Sequence, residues 1–303
     1  MTRPTILTVN GTGDPDPADT VGFSGQLGSL VGGVNPWQIV ADQIAGTATP
    51  EPPYIWQAIG YPAAVTNMEA SYTNAVDQIV AALGGPPCPD YQAPVYDSGP
   101  FVLSGYSQGS CATNVVFSQY LFPEDGLLHH RLNDCLSVVN FGDVFRCAGI
   151  AAGNVHQGIP LPAMKDGTTT GGIAQSTGAA PLNLTEAEST YVNPNNPLGL
   201  PTIFSYALAG DLYGSSPQGA AGAVGKSIME VIFTTTFGNI VRVLGDLAHP
   251  IGIFEEAANA IGFFSEAGEI GVGGYPVAAH WQYANAGCVA DAAQYLRALA
   301  AAL

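Results

Sequence analysis

Apolar positions fall along the chain in two alternating patterns, short continuous runs and helical periods. The first run, Thr5-Ile6-Leu7-Thr8-Val9-Asn10, is β-rich and ends in Gly11-Thr12-Gly13-Asp14-Pro15, a strand feeding a tight polar loop. Asn35-Pro36 supplies an N-cap and a first-turn proline for a helix from Trp37 to about Ala45. After the proline-rich stretch from Thr49 to Pro53, Tyr54-Ile55-Trp56 reads as a short strand, followed by Gly60-Tyr61-Pro62-Ala63. Thr66 and Glu69 have capping-box spacing, and Val76, Ile79, Val80 and Leu83 recur at i, i+3, i+4 and i+7. That pattern predicts an amphipathic helix stopped by Gly84-Gly85-Pro86-Pro87.

The middle of the chain repeats the alternation. Pro100-Phe101-Val102-Leu103-Ser104 is a continuous apolar run of the kind buried on both faces of a parallel sheet. Gly105 to Gly109 turns the chain, Cys111 to Leu121 reads as a helix, and Leu136 to Phe141 reads as a strand ending at Gly142-Asp143. Strand and helix in alternation predict a doubly wound α/β domain around a mostly parallel central sheet. Residues 157–201 break the rhythm: they are rich in Gly, Pro, Thr, Asn and Ala without apolar periodicity, and read as a long irregular loop. Thr202 to Leu208 restores a strand, ended by Ala209-Gly210-Asp211.

From about Gly219 to Gly268 the pattern is helical, with Phe233, Phe237, Ile240, Leu244 and Leu247 on one face and Phe254, Ala258 and Ile261 on another, separated by Pro250. These faces suit a lid or plain packing onto the sheet. A strand region from Tyr275 to Ala278 and a last helix from about Asn285 to Leu303 complete the pattern.

Charge narrows the functions open to such a domain. Seven Lys and Arg stand against 24 Asp and Glu, a net charge of −17, and the basic residues are scattered. Nucleic acid and anionic membranes are held through clustered Lys and Arg, so neither is expected as a partner. No run approaches the roughly 18 apolar residues of a membrane span, so no integral membrane segment is expected. The apolar run Ile6 to Val9 is shorter than a signal-peptide core of about 7–15 residues, and the expectation is a chain without its own export signal. Cys88, Cys111, Cys135, Cys147 and Cys288 have no CxxC spacing, which argues against a zinc or thioredoxin-type site and leaves any disulfide pairing open. No His, Cys and Asp cluster has ligand spacing, so no metal and no organic cofactor are expected.

The candidate chemistry lies in Gly105-Tyr106-Ser107-Gln108-Gly109. A bare GxSxG string arises readily by chance, but this one has an apolar strand running into it and a helix running out, the setting of a nucleophile elbow. Side chains at Gly105 and Gly109 would collide with the neighbouring strand and helix, which accounts for both glycines. Ser107 is therefore the candidate nucleophile; the plainer reading is an ordinary helix N-cap serine.

A serine needs a base, and the base an orienting acid, in the chain order Ser, Asp or Glu, His. His129 and His130 precede the next strand, His156 precedes the expected acid, and His249 adjoins Pro250 in the helical stretch. His280, between the last strand region and the final helix, is left as base. Asp211 follows an apolar strand and precedes His280, which suits the acid; Asp143 is the rival, or else a loop carboxylate pairing with Arg146. The oxyanion donors would be the backbone N–H groups of Gln108 and of Thr12 in the loop after the first strand. That loop lacks the third glycine and the helix of a dinucleotide site.

Asn10-Gly11-Thr12-Gly13, Gly60-Tyr61-Pro62-Ala63 and Gly105-Tyr106-Ser107-Gln108-Gly109 together resemble the cutinase-like serine esterases, and among them the lysin B enzymes of mycobacteriophages. The resemblance implies a single cutinase-like α/β-hydrolase domain over residues 1–303, with residues 216–270 as a helical insertion between acid and base. It implies hydrolysis of the ester joining mycolic acids to arabinogalactan, by an enzyme made in the host cytoplasm and acting at the host envelope on lysis. A general cutinase or lipase-like carboxylesterase, an acyltransferase with the same triad, and a non-catalytic binder on a hydrolase scaffold are the other readings.

Overall fold

Six short apolar segments assemble into one parallel sheet, seen in a computed structural model that describes residues 3–15, 23–34, 53–64, 67–164, 167–176, 184–211, 213–217 and 279–303. The strands are β1 (Thr5–Val9), β2 (Gly33–Val34), β3 (Tyr54–Ile59), β4 (Phe101–Tyr106), β5 (Cys135–Phe141) and β7 (Ile203–Tyr206), in the order β2-β3-β1-β4-β5-β7. β6 (Thr170–Gly171) pairs antiparallel with β8 (Ser216–Pro217) in a separate ribbon. The helices are α1 (Phe23–Leu30), α2 (Met68–Ala82), α3 (Gln108–Val115), α4 (Ala152–Gln157), α5 (Ile173–Ser176), α6 (Glu186–Thr190) and α7 (Cys288–Ala302). The helix expected from Trp37 to Ala45, the helical stretch placed within 216–270 from residue 218 onward, and the strand region from Tyr275 to Ala278 lie outside the described residues.

Strand periodicity decides which face each side chain serves. Leu7, Leu103 and Val138 join Val76, Ile79, Ala112 and Phe117 in a core between the sheet and helices α2 and α3. Ile6, Val102, Val139 and Phe204 point the other way and pack with Leu27 of α1 and Val289, Ala292, Leu296 and Leu299 of α7. Because both faces are covered, β1 and β5 are buried along their whole length, which is why they read as continuous apolar runs.

Several boundaries differ from the pattern in the sequence. α1 and β2 fall in a stretch with no clear period. α2 begins at Met68 behind Asn67, whose backbone is left-handed (φ 55°, ψ 48°) and whose side chain makes no capping bond; Thr66 of the expected capping box lies outside the described residues. The capping box seen lies at Thr185 and Glu188, where each side chain meets the other residue's backbone N–H and opens α6. α3 starts at Gln108, three residues earlier than its apolar period, and runs on as a π-helical segment over Val116–Leu121.

Residues 157–201 carry β6, α5 and α6 where the pattern showed none. Asparagines tie part of this segment down. Asn193, fully buried, donates to the carbonyls of Leu132, Asn133 and Cys135, and Asn196 donates to those of Leu136 and Leu200. Side-chain amides standing in for a regular backbone ladder leave no hydrophobic period to read.

The strand order reverses direction between β1 and β4, whose carboxyl ends lie side by side with Val9 opposite Gly105. In open parallel sheets such a switch point opens a crevice at the carboxyl ends of the strands. The loop after β1 and the turn after β4 both open there.

Candidate active site

Ser107 links β4 to α3 with φ 54° and ψ −119°, a setting that costs a non-glycine residue about 1–3 kcal/mol and persists only where its surroundings impose it. Two glycines show the imposition. A Cβ on Gly105 would stand 2.4 Å from the Gly109 carbonyl oxygen, and one on Gly109 would stand 2.3 Å from Val9 O and 2.6 Å from Asn10 O. The turn is wedged between its own helix and β1, with room for a side chain at neither position. Below it, the Ser107 N–H donates to Phe141 O at 2.9 Å and the Gly105 N–H donates to Asn140 Oδ1 at 3.1 Å. The Ser107 side chain makes no capping bond to α3, so it is not an ordinary N-cap serine.

Asp211 follows β7 and is fully buried. Its Oδ1 accepts from His280 Nδ1 at 2.9 Å and from the Tyr213 N–H at 2.8 Å, while its Oδ2 accepts from the Tyr283 hydroxyl at 2.6 Å. Burial pushes the carboxyl pKa up, but the adjoining His280 and the hydrogen bonds from His280, Tyr283 and Tyr213 outweigh it, leaving the group below the usual carboxylate range.

His280 lies in a 3-10 turn over Ala279–Trp281 and is 4% exposed. Gly142, the residue after β5, has φ +58°, and a Cβ there would fall 2.5 Å from His280 Cε1. Since β5 lies between β4 and β7, the imidazole stands over the strand that separates the Ser107 turn from Asp211. With Nδ1 taken by the carboxylate, Nε2 is the ring nitrogen left for proton transfer, and it is buried without a hydrogen-bond partner. The Nε2 contact to Ser107 is therefore open; contacts of this kind commonly close only around substrate.

Gln108 opens α3, so its N–H belongs to the first helical turn, which has no partners within the helix. Thr12 sits in the loop after β1. That loop touches the Ser107 turn, since a Cβ on Gly11 would be 3.3 Å from Ser107 Cβ. It is braced from the segment after β3: the Tyr61 hydroxyl donates to Asn10 O at 2.8 Å, and the Gly13 N–H donates to Ala63 O at 2.8 Å. The Gln108 side chain ties the same segment to α3 by donating to Ala64 O at 3.0 Å.

The other candidates are placed elsewhere. Asp143 accepts from Asn114 Nδ2, Ser205 Oγ and the Phe145 N–H, and the carboxylate bonded to His280 is Asp211 instead. Nor does Asp143 pair directly with Arg146. That guanidinium is spent on the carbonyls of Gly214, Cys147 and Ile150 and on Thr170 Oγ1. His129 Nδ1 pairs with Leu121 O, His130 is exposed, His156 pairs with Asp291, and His249 lies outside the described residues. All five cysteines are free. Among the described residues no group of three or more His, Cys, Asp or Glu could hold a metal ion, and no helix is long and apolar enough to cross a membrane.

Gly142 and Tyr283 adjoin the His280 and Asp211 pair, and the sequence pattern did not single them out. Gly142 carries a faint signal, a glycine directly after a buried strand. Tyr283 carries none, because its partner is 72 residues away.

No family model matches the chain. It is 28% identical to Endolysin B of Mycobacterium phage D29 over 152 residues, 50% of each chain, and equally to Endolysin B of Mycobacterium phage L5. The chain thus spans about half the length of the curated relatives it matches. Its structure superposes on the crystal structure of lysin B from mycobacteriophage D29 with a TM-score of 0.59 and 24% identity, covering 98% of this chain and 100% of that one. The fold is therefore that of lysin B, an α/β-hydrolase fold.

Proposed function

We propose that the protein is a serine carboxylester hydrolase working by two-step acyl transfer, with Ser107 as nucleophile, His280 as base and Asp211 as acid. The observation that carries this reading is the buried His280 and Asp211 pair at 2.9 Å, with Nε2 left unpartnered at the end of the sheet that carries the Ser107 turn. As Ser107 Oγ attacks the ester carbonyl, its proton passes to His280 Nε2. Asp211 holds the resulting imidazolium, and the N–H groups of Gln108 and Thr12 receive the oxyanion. Collapse breaks the carbonyl–alkoxy bond, and Nε2 returns the proton to the departing alcohol. Water then repeats the sequence on the acyl-enzyme, and no cofactor takes part.

The substrate we propose is the ester between mycolic acids and arabinogalactan, cleaved at the host envelope during phage lysis. Similarity to two phage endolysins supports it. So does the position of Trp281, which is 68% exposed beside the base and offers an aromatic surface to a lipid ester. The chain is read as one hydrolase domain over 1–303, with residues 216–270 inserted between acid and base.

Ser107→Ala should abolish release of p-nitrophenol from a butyrate ester while the protein stays folded, and a fluorophosphonate should label the parent at Ser107. Retained hydrolysis would sink the mechanism. Free mycolic acid released from purified mycolyl-arabinogalactan supports the substrate; cleavage of short esters alone leaves a general carboxylesterase.

A further inference from the structure

The base arrives on a segment far along the chain from the nucleophile, and something must set the distance between them. Tyr106, the residue before Ser107, touches His280 in two ways across 174 residues of sequence. Its hydroxyl donates to the His280 carbonyl oxygen at 2.7 Å. Its ring is stacked on the imidazole, with centroids 5.1 Å apart and planes 23° from parallel. The ring is itself fixed: a Cβ on Gly11 would be 2.8 Å from Tyr106 Cδ1, Phe23 packs at 5.6 Å and Tyr283 meets it edge-on at 6.3 Å.

We propose that Tyr106 is a positioning residue that docks His280 onto the nucleophile turn and favours its imidazolium form through the ring face. The proposal rests on the reading of Ser107 as nucleophile and His280 as base. The hydroxyl contact fixes the backbone of the 3-10 turn, and with it the reach of Nε2 toward Ser107. The stack acts at a different moment. A tyrosine face is electronegative and attracts a cation within about 6 Å of its centroid. His280 becomes a cation only when the Ser107 proton reaches Nε2, so the attraction grows between ground state and transition state and raises kcat rather than substrate affinity. The residue preceding the nucleophile thereby links three parts of the site: the β1 loop through Gly11, the nucleophile through the chain, and the base through space.

The test compares Tyr106→Phe, which keeps the ring and removes the hydroxyl, with Tyr106→Leu, which removes both. Both are assayed on a p-nitrophenyl ester, with thermal melting as a check on folding and Ser107→Ala alongside. Expected is a fall in kcat of about threefold to tenfold for Phe and about tenfold to a hundredfold for Leu, with KM unchanged and the rate of fluorophosphonate labelling falling in step. A Phe variant with parental kcat overturns the proposal, whether or not the Leu variant folds. A Leu variant whose loss lies in KM, or tracks its unfolded fraction, overturns it too. If Ser107→Ala keeps activity, the reading of the nucleophile fails instead and takes the proposal with it; if Ser107→Ala is inactive, the Tyr106 variants decide alone.

Discussion

The Tyr283 hydroxyl donates to Asp211 Oδ2 at 2.6 Å, so the carboxylate that faces His280 is held at both oxygens. Tyr283 approaches from just ahead of α7 and also accepts from the Leu208 N–H. Removing its hydroxyl frees the carboxylate to rotate and strips one donor from a buried anion, a loss of about 1.5–3 kcal/mol for a bond to a charged group. Tyr283→Phe should lower kcat/KM about fivefold to tenfold and reduce the melting temperature by several degrees.

Acid sensitivity should change in the same variant. The folded Asp211 carboxyl lies below its ordinary range, because His280 and the three hydrogen bonds outweigh burial, so its stabilisation is present above the unfolded value and is lost as pH falls through the folded one. Tyr283→Phe moves that loss to higher pH. Melting temperatures between pH 2 and pH 5 check it; parent and variant curves of identical shape would contradict it.

Gly142 is a second point where one atom governs the place of His280. It combines φ +58° with a Cβ position 2.5 Å from His280 Cε1 and 2.8 Å from Nδ1. Gly142→Ala therefore has to displace the imidazole, and hydrolysis should fall about a hundredfold or more, as expected when a reacting group is moved by about 1 Å. Gly199 provides the control: its φ is +63°, and nothing lies within 4 Å of a Cβ there. Gly199→Ala should cost about 1 kcal/mol of backbone strain and leave activity unchanged.

These residues also mark how much the sequence could tell. The strand cores at Thr5–Val9, Phe101–Tyr106 and Cys135–Phe141 were legible because a sheet covered on both faces needs unbroken apolar runs. The Gly105 and Gly109 pair was legible because both positions lie against backbone, where no side chain fits. Gly142, Tyr283 and the Tyr106 contact were not, since each acts on a partner brought close by the fold alone. β6, α5 and α6 escaped for another reason: parts of the surrounding segment are held by asparagine amides and by the Thr185 and Glu188 cap, which leave no apolar period.

Asn193 tests that last point. Its Nδ2 donates to Leu132 O at 3.2 Å, Asn133 O at 3.1 Å and Cys135 O at 2.7 Å, and its Oδ1 accepts from the Asn195 N–H at 2.7 Å. Truncation strips the buried Cys135 carbonyl at the start of β5 of its side-chain donor, whereas Leu132 O still accepts from the Cys135 N–H and Asn133 O from Asn195 Nδ2. Asn193→Ala should destabilise the fold by about 1–3 kcal/mol in denaturant unfolding, the cost of one buried polar group left without its donor. Activity of the folded fraction should be retained, because the residue is remote from Ser107.

Asp143 makes a prediction of opposite sign to Asp211. It is fully buried, in a chain that runs from Thr113 Oγ1 and Asn140 through Asn114 to Asp143 and Ser205. Burial raises its pKa above the ordinary value, and the hydrogen bonds from Ser205, Phe145 and Asn114 together with nearby Arg146 only partly offset it. The folded state therefore binds the proton more tightly than the unfolded chain. This group's contribution is fully present below the unfolded pKa and is lost as pH rises through the folded one. Asp143→Asn is neutral at every pH and can still accept from Asn114 and Phe145, while its amide donates to Ser205 in place of the reverse bond. The melting temperature of the variant relative to the parent should accordingly rise between pH 4 and pH 8. A difference that stays constant over that range would show that the Asp143 carboxyl keeps the same protonation in the folded and unfolded chain.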